Sequence, residues 1–167
     1  MCIRDSICVD QQGPMCHCGN RGCVEAMAAG PAIARLAEEA ARQGDSALLA
    51  EWFERDGQLL PEQVAQASRA GDATASGIVQ RAGGLIGQML ASLVNFFNPS
   101  HVFIGGGVTN VGPLFLAAVR QSVYQRSLAL STRHLEIQFS PLGGHTGVTG
   151  AGVLAMQETL RTRGVAP

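Results

Sequence analysis

The sequence predicts an α/β fold with a largely parallel core, and three features predict it. A short apolar strand, a glycine loop and a helix occur in that order twice, over residues 102–126 and 135–161. That is the ordering of crossover units around parallel strands. Apolar residues make up 46% of the chain and charged residues only 15%, which supports a core and excludes intrinsic disorder. The length, 167 residues, suits one domain of ordinary size.

Taken in order, residues 1–6 (MCIRDS) show neither strand alternation nor helical spacing and read as a non-native leader resembling translated adapter sequence. Residues 7–9 end a strand, and Gln-Gln-Gly-Pro at 11–14 turns the chain. A Cys-rich loop spans 15–23. A helix is expected from Val24 to a C-cap at Gly30, and Pro31 suits the first turn of a second helix with Ile33, Leu36 and Ala40 on one face. Asp45 is expected to cap a short helix to about Phe53, with a polar loop over 55–60 and another helix over 61–70. Asp72 caps the longest predicted helix, which runs to about Phe97 with Ile78, Ala82, Leu85, Met89 and Leu93 as its apolar stripe. Gly77, Gly83, Gly84 and Gly87 on that helix imply close packing against a neighbour. Asn98-Pro99 stops it. A strand at 101–104 then runs into Gly105-Gly106-Gly107, followed by a helix over 111–126, a strand over 135–139, the Gly143-Gly144 loop and a last helix over about 147–161.

Composition excludes several functions. The net charge is −1 and aromatic content is 5%, so there is neither a basic field for nucleic acid nor a stacking platform for single strands. The apolar stretch 78–97 is interrupted by Gln80, Arg81, Gln88 and Asn95, which excludes a spanning helix and leaves no membrane partner. No signal peptide is visible, and five cysteines are an odd set without a disulfide framework, so a reducing cytoplasm is the expected location.

The strongest chemical signal is Cys16-His17-Cys18-Gly19-Asn20-Arg21-Gly22-Cys23-Val24-Glu25. Zn²⁺ accepts thiolates at tetrahedral corners, and two glycines let the third Cys fold back on the first two. Buried free thiols on a tight turn are the alternative. His17 is an awkward fourth ligand, being wedged between two others. Cys8 is expected to be a small core residue. Gly105–Gly107 reads equally as a tight turn or as a loop allowing close approach to a nucleotide. Glu25 alone reads as a first-turn acid favoured by the helix dipole. Thr146 either contacts a nucleotide or caps the last helix. His101, His134 and His145 are expected to be at least half-exposed, and Trp52 to pack a peripheral helix.

The run CHCGNRGCVE resembles the CxCGxxGCxE signature of the ROK family, which comprises sugar kinases and sugar-responsive transcriptional repressors. GPAIAR at 30–35, Asn98-Pro99 followed by IGGGV at 104–108, and LGGHTGVTGA at 142–151 resemble the same family, so the likeness extends from Ile7 to about Leu160. The resemblance implies an actin-like ATPase (ribonuclease H-like) fold, with 7–167 as its C-terminal lobe, the zinc-binding loop at 15–25 and the N-terminal lobe missing. It implies structural Zn on Cys16, Cys18 and Cys23, a sugar contact at Glu25, and nucleotide contacts at Gly105, Gly106, Gly107 and Gly144. The family's fourth ligand, a His ten residues before the first Cys, falls on Ser6, and none of the surrounding ExGH slots matches. The family's catalytic Asp lies further upstream, so no catalytic residue is assigned and the chain alone is expected to be inactive. The implied function is part of a glucokinase-like, ATP-dependent hexose kinase, with ATP and Mg required by the full-length protein. The alternative is the sugar-sensing effector domain of a repressor. The implied partners are a hexose or amino-hexose, ATP, and further copies in a homo-oligomer. DNA would be bound only through a missing N-terminal module.

Overall fold

The computed structural model describes residues 6–162, so the first five residues of the expected leader, Cys2 among them, lie outside the described residues. The chain is mixed α/β and mostly helical: α1 (Val24–Ala28), α2 (Gly30–Gln43), α3 (Ala47–Asp56), α4 (Pro61–Arg69), α5 (Ala73–Phe97), β1 (His101–Ile104), α6 (Pro113–Arg126), α7 (Ala129–Thr132), β2 (Glu136–Phe139) and α8 (Thr146–Thr162). Single 3₁₀ turns precede α6 and α8, at Gly107–Val111 and Gly143–His145. Among the described residues no helix is long and apolar enough to cross a membrane.

The strands pair in parallel, as the repeated strand–loop–helix order requires, with Val102 opposite Ile137 and Ile104 opposite Phe139. They are the only two strands in the sheet among the described residues, so the core is helical rather than strand-dominated. It is built from Ile33, Leu49, Val64, Val79, Val94, Phe115, Val119 and Ile137, drawn mainly from α2 to α6. The long helix α5 carries it. Gly83 and Gly87 are buried in its contact with α6, where a Cβ on Gly87 would lie 2.6 Å from the Val119 carbonyl oxygen and 2.5 Å from Ser122 Cβ. Ser122 Oγ donates to the Gly84 carbonyl at 2.8 Å across the same seam. Two of the four glycines therefore serve close packing; at Gly77 and Gly84 a Cβ would meet nothing within 4 Å.

Helix α6 is fastened to β2 by Arg120 Nε donating to the Ile137 carbonyl (2.8 Å) and by Tyr124 OH donating to that of Leu135 (3.4 Å). Asp72 caps α5 by accepting from the Ala75 N–H at 2.8 Å. Asn98, in the left-handed region at φ 46, terminates that helix before Pro99.

Several boundaries differ from the expectation. Gly30 begins α2 rather than capping α1, because Ala29 is extended and serves both helix ends. Ser46, not Asp45, caps α3: its hydroxyl accepts from the Leu49 N–H (3.0 Å) and donates to Asp72 Oδ2 (2.6 Å). Helix α3 continues to Asp56, and Leu59 in the supposed polar loop is 2% exposed because it joins the core. Helix α6 starts at Pro113, whose fixed φ suits a first turn, and the preceding residues wind as a 3₁₀ turn. Thr146 does not cap α8, since its hydroxyl donates to the Gly143 carbonyl (2.7 Å) instead of accepting. The expected strand at Ile7–Val9 is reduced to an isolated bridge between Cys8 and Cys23, and Cys8 is exposed rather than in the core.

Candidate functional site

The Cys-rich loop is shaped by its backbone. Val9 N–H donates to the Gly22 carbonyl (2.8 Å) and Gly22 N–H to that of Pro14 (2.8 Å), which lays the outgoing strand back along the incoming one. The tip closes through Cys16 N–H on the Asn20 carbonyl (2.8 Å) and Gly19 N–H on that of Cys16 (3.0 Å). Gly22 adopts a left-handed φ of 61, and a Cβ there would collide with the Asp10 carbonyl oxygen, so only glycine lets the chain return.

The return brings Cys16, Cys18 and Cys23 together, with all three sulfurs within 4.8 Å of one another and Cys18 to Cys23 at 3.6 Å. Zn–S bonds of about 2.3 Å in a tetrahedron separate sulfurs by about 3.8 Å, so the cluster fits a thiolate-bound metal. Cys16 and Cys23 are buried and Cys18 half-buried. The backbone N–H of Asn20, then the hydroxyl of Ser6, hold Cys18 down to about 7. Burial, reinforced by the adjoining thiols of Cys18 and Cys16, pushes Cys23 up to about 12. Ser6 thus stands against the cluster, a contact the sequence signalled only through its spacing from Cys16. His17 is exposed.

Cys23 directly precedes α1, whose second residue is Glu25. Its Oε2 accepts from the Cys16 thiol at 3.5 Å. Glu25 is half-buried and stands on the wall between two hollows. One, of about 310 Å³, is lined by Pro14, His17, Pro31 and Arg35. The other, of about 540 Å³, lies between the starts of α2 and α4 and the glycine loop after β1, within the range of small-molecule pockets. Its walls are largely apolar, including Val24, Ile86, Met89, Ile104 and Val108, with Gly105, Gly107 and the two carboxylates Glu25 and Glu62 at its edge.

In the sequence Glu62 carries no signal beyond its position at the start of a helix. Its place after Pro61, in the first turn of α4, was the available signal. Asn110 Nδ2 donates to its Oε1 at 3.2 Å, tying α4 to the turn that follows the glycine loop. Gly105 approaches Thr146, whose side chain would lie 3.4 Å from a Cβ there, whereas Gly106 (φ 88) and Gly107 face open space. Thr146 in turn bonds the Gly143 carbonyl, so the two glycine loops, including Gly144 in the 3₁₀ turn, adjoin through one threonine. The structure therefore brings Glu25 to both the thiol cluster and the Gly105–Gly107 cleft. His101, His134 and His145 are exposed and outside it.

Residues 6–158 match the ROK family. The chain is 32% identical over 150 residues to a glucokinase of Halalkalibacterium halodurans, covering 90% of this chain and 46% of that protein. It is 29% identical over 147 residues to the DNA-binding transcriptional repressor Mlc of Escherichia coli K12, covering 87% of this chain and 35% of that protein. Among solved structures it resembles a ROK family glucokinase from Streptomyces griseus in complex with glucose and AMPPNP, with a TM-score of 0.80 and 31% identity over 92% of this chain and 50% of that one. The chain thus spans about half the length, or less, of the relatives it matches.

Proposed function

The chain belongs to the ROK family, and on that premise we propose that it forms the C-terminal lobe of a glucokinase-like sugar kinase with the actin-like ATPase fold, contributing to ATP-dependent phosphorylation of a hexose. The observation that carries this reading is the position of Glu25, which faces the same cleft as the Gly105–Gly107 loop. A carboxylate accepts hydrogen bonds from vicinal hydroxyls and so fixes the orientation of a sugar. Backbone stripped of side chains at Gly106 and Gly107 leaves room for the phosphates of a nucleotide, with Gly144 on the adjoining turn. When bound, ATP and Mg supply the transferable phosphoryl group and its charge neutralisation. The residues of this chain bind and orient; none is assigned a catalytic role.

Zn on Cys16, Cys18 and Cys23 is proposed as structural. It would lock the loop that presents Glu25, since Cys23 and Glu25 are two residues apart. The similarity to Mlc supports a second reading, in which the same sugar-facing carboxylate serves the effector site of a repressor.

Thermal unfolding with separate additions tests these readings. A kinase lobe is expected to gain stability from glucose and independently from AMPPNP, with the glucose effect abolished by Glu25→Gln. An effector domain gains stability from sugar and not from nucleotide. Absence of both shifts would reject the ligand-binding assignment, and hexose phosphorylation by the isolated chain would overturn the absence of a catalytic residue.

A further inference from the structure

We propose that Glu62 recognises the ribose of a nucleotide bound in the cleft, accepting hydrogen bonds from its vicinal hydroxyls and so favouring ribonucleotides over their 2′-deoxy forms. The proposal rests on the reading of the Gly105–Gly107 cleft as a nucleotide site. Two carboxylates line that cleft from different elements: Glu25 in the first turn of α1, beside the thiol cluster, and Glu62 in the first turn of α4. A hexose and a ribonucleotide each present a vicinal diol, and one carboxylate has the acceptor sites to hold one diol. With Glu25 given to the sugar, Glu62 is the acceptor left for the ribose.

The surroundings of Glu62 fit that task. The start of α4 is pinned, because Pro61 opens the helix and Gln63 Oε1 accepts from the Leu60 N–H at 2.8 Å. Gln63 thus closes the helix end and leaves Glu62 free of that duty. Asn110 Nδ2 donates to Glu62 Oε1 at 3.2 Å, and Asn110 belongs to the 3₁₀ turn Gly107–Val111 that continues from the glycine loop. The carboxylate is therefore tied one turn beyond the backbone offered to the phosphates, which matches the place of ribose next to the phosphates of a nucleotide. Among the described residues no cation pairs with Glu62 and no donor occupies its Oε2, so it keeps acceptor capacity for a ligand. Ile86, Met89 and Val108 give the same cleft an apolar wall on which a base can rest. A carboxylate repels phosphate and accepts from hydroxyls, so at this position it selects a diol rather than an anion.

Calorimetric titration of the 167-residue chain with ATP and with 2′-deoxy-ATP, each in the presence of Mg, tests this, with circular dichroism showing that each variant folds. The wild type is expected to bind ATP about tenfold or more tightly than 2′-deoxy-ATP, the scale of one hydrogen bond to a charged acceptor. Glu62→Ala should bring that ratio to about one. Asn110→Ala, which releases the carboxylate from its tether, should lower the ratio without abolishing it. The ratio is the readout because removing a negative charge from the cleft strengthens both nucleotides alike, and a merely structural role for Glu62 would leave it unchanged. An unchanged ratio in Glu62→Ala, or equal binding of the two nucleotides by the wild type, would overturn the proposal while leaving the nucleotide site intact. Failure of the wild type to bind either nucleotide would instead defeat the nucleotide reading itself, and the proposal with it.

Discussion

Cys18 and Cys23 lie 3.6 Å apart yet are displaced in opposite directions from the ordinary thiol value of 9.0, to about 7 and about 12. Hydrogen bonds from Asn20 and Ser6 favour the Cys18 thiolate, and burial favours the Cys23 thiol. The signs fix the pH response of the metal-free chain. A lowered value stabilises the fold as pH rises from about 7 to 9; a raised one withdraws stability as pH rises from 9 towards 12. The pair's contribution should therefore peak near pH 9. Urea unfolding of reduced protein, compared with a Cys18→Ser, Cys23→Ser double variant across that range, measures it, and a pH-independent difference would refute the assignment. The CxC and GxxGC spacing was enough to suggest a metal loop. The contact between Cys16 and Glu25 was not legible, because it depends on how α1 leaves the loop.

Helix α5 shows why identical residues have different consequences within one element. Gly87→Ala would drive a methyl group into Val119 and Ser122 of α6, and should destabilise the fold by about 1–3 kcal/mol despite the better helix propensity of Ala. Gly77→Ala meets open space and should stabilise by about 0.5–1 kcal/mol. Equilibrium denaturation of the two variants checks the contrast, and equal effects would show that the α5–α6 seam is looser than its distances indicate. The caps are similarly coupled. Asp72 receives the Ala75 N–H and the Ser46 hydroxyl, so Asp72→Ala should cost about 1 kcal/mol or more by loosening α3 and α5 together. A clearly smaller loss in a Ser46→Ala background would confirm that the two residues act as one unit, whereas an equal loss would show them independent. Sequence located the start of α5 because Asp before an apolar periodic run is a strong signal. It misplaced the start of α3 because Asp45 and Ser46 are both good caps, and only the meeting with Asp72 decides between them.

Across the molecule, order is distributed unevenly. Helices α2 to α6 enclose the buried core, whereas α8 leaves Val148, Leu154, Met156 and Leu160 exposed and packs mainly on the turn that precedes it. Amide hydrogen exchange should be slowest in the buried stretch of α5 around Val79 to Val94 and much faster along α8, since an isolated helix of this length is marginal in water. Comparable protection in both would mean that α8 is covered in solution. The sequence by itself determined the family, the order of most elements, the parallel pairing implied by repeated strand–loop–helix units, and the thiol loop, because periodicity, caps and short-range spacing are local properties. Only the tertiary structure decided that the core is helical, that Leu59 is buried and Cys8 exposed, and that Glu25 faces both a metal-type cluster and the Gly105–Gly107 cleft. Those outcomes depend on which distant segments share space, and segments 80 residues apart, such as Glu25 and Gly105, are joined by packing that local spacing does not encode.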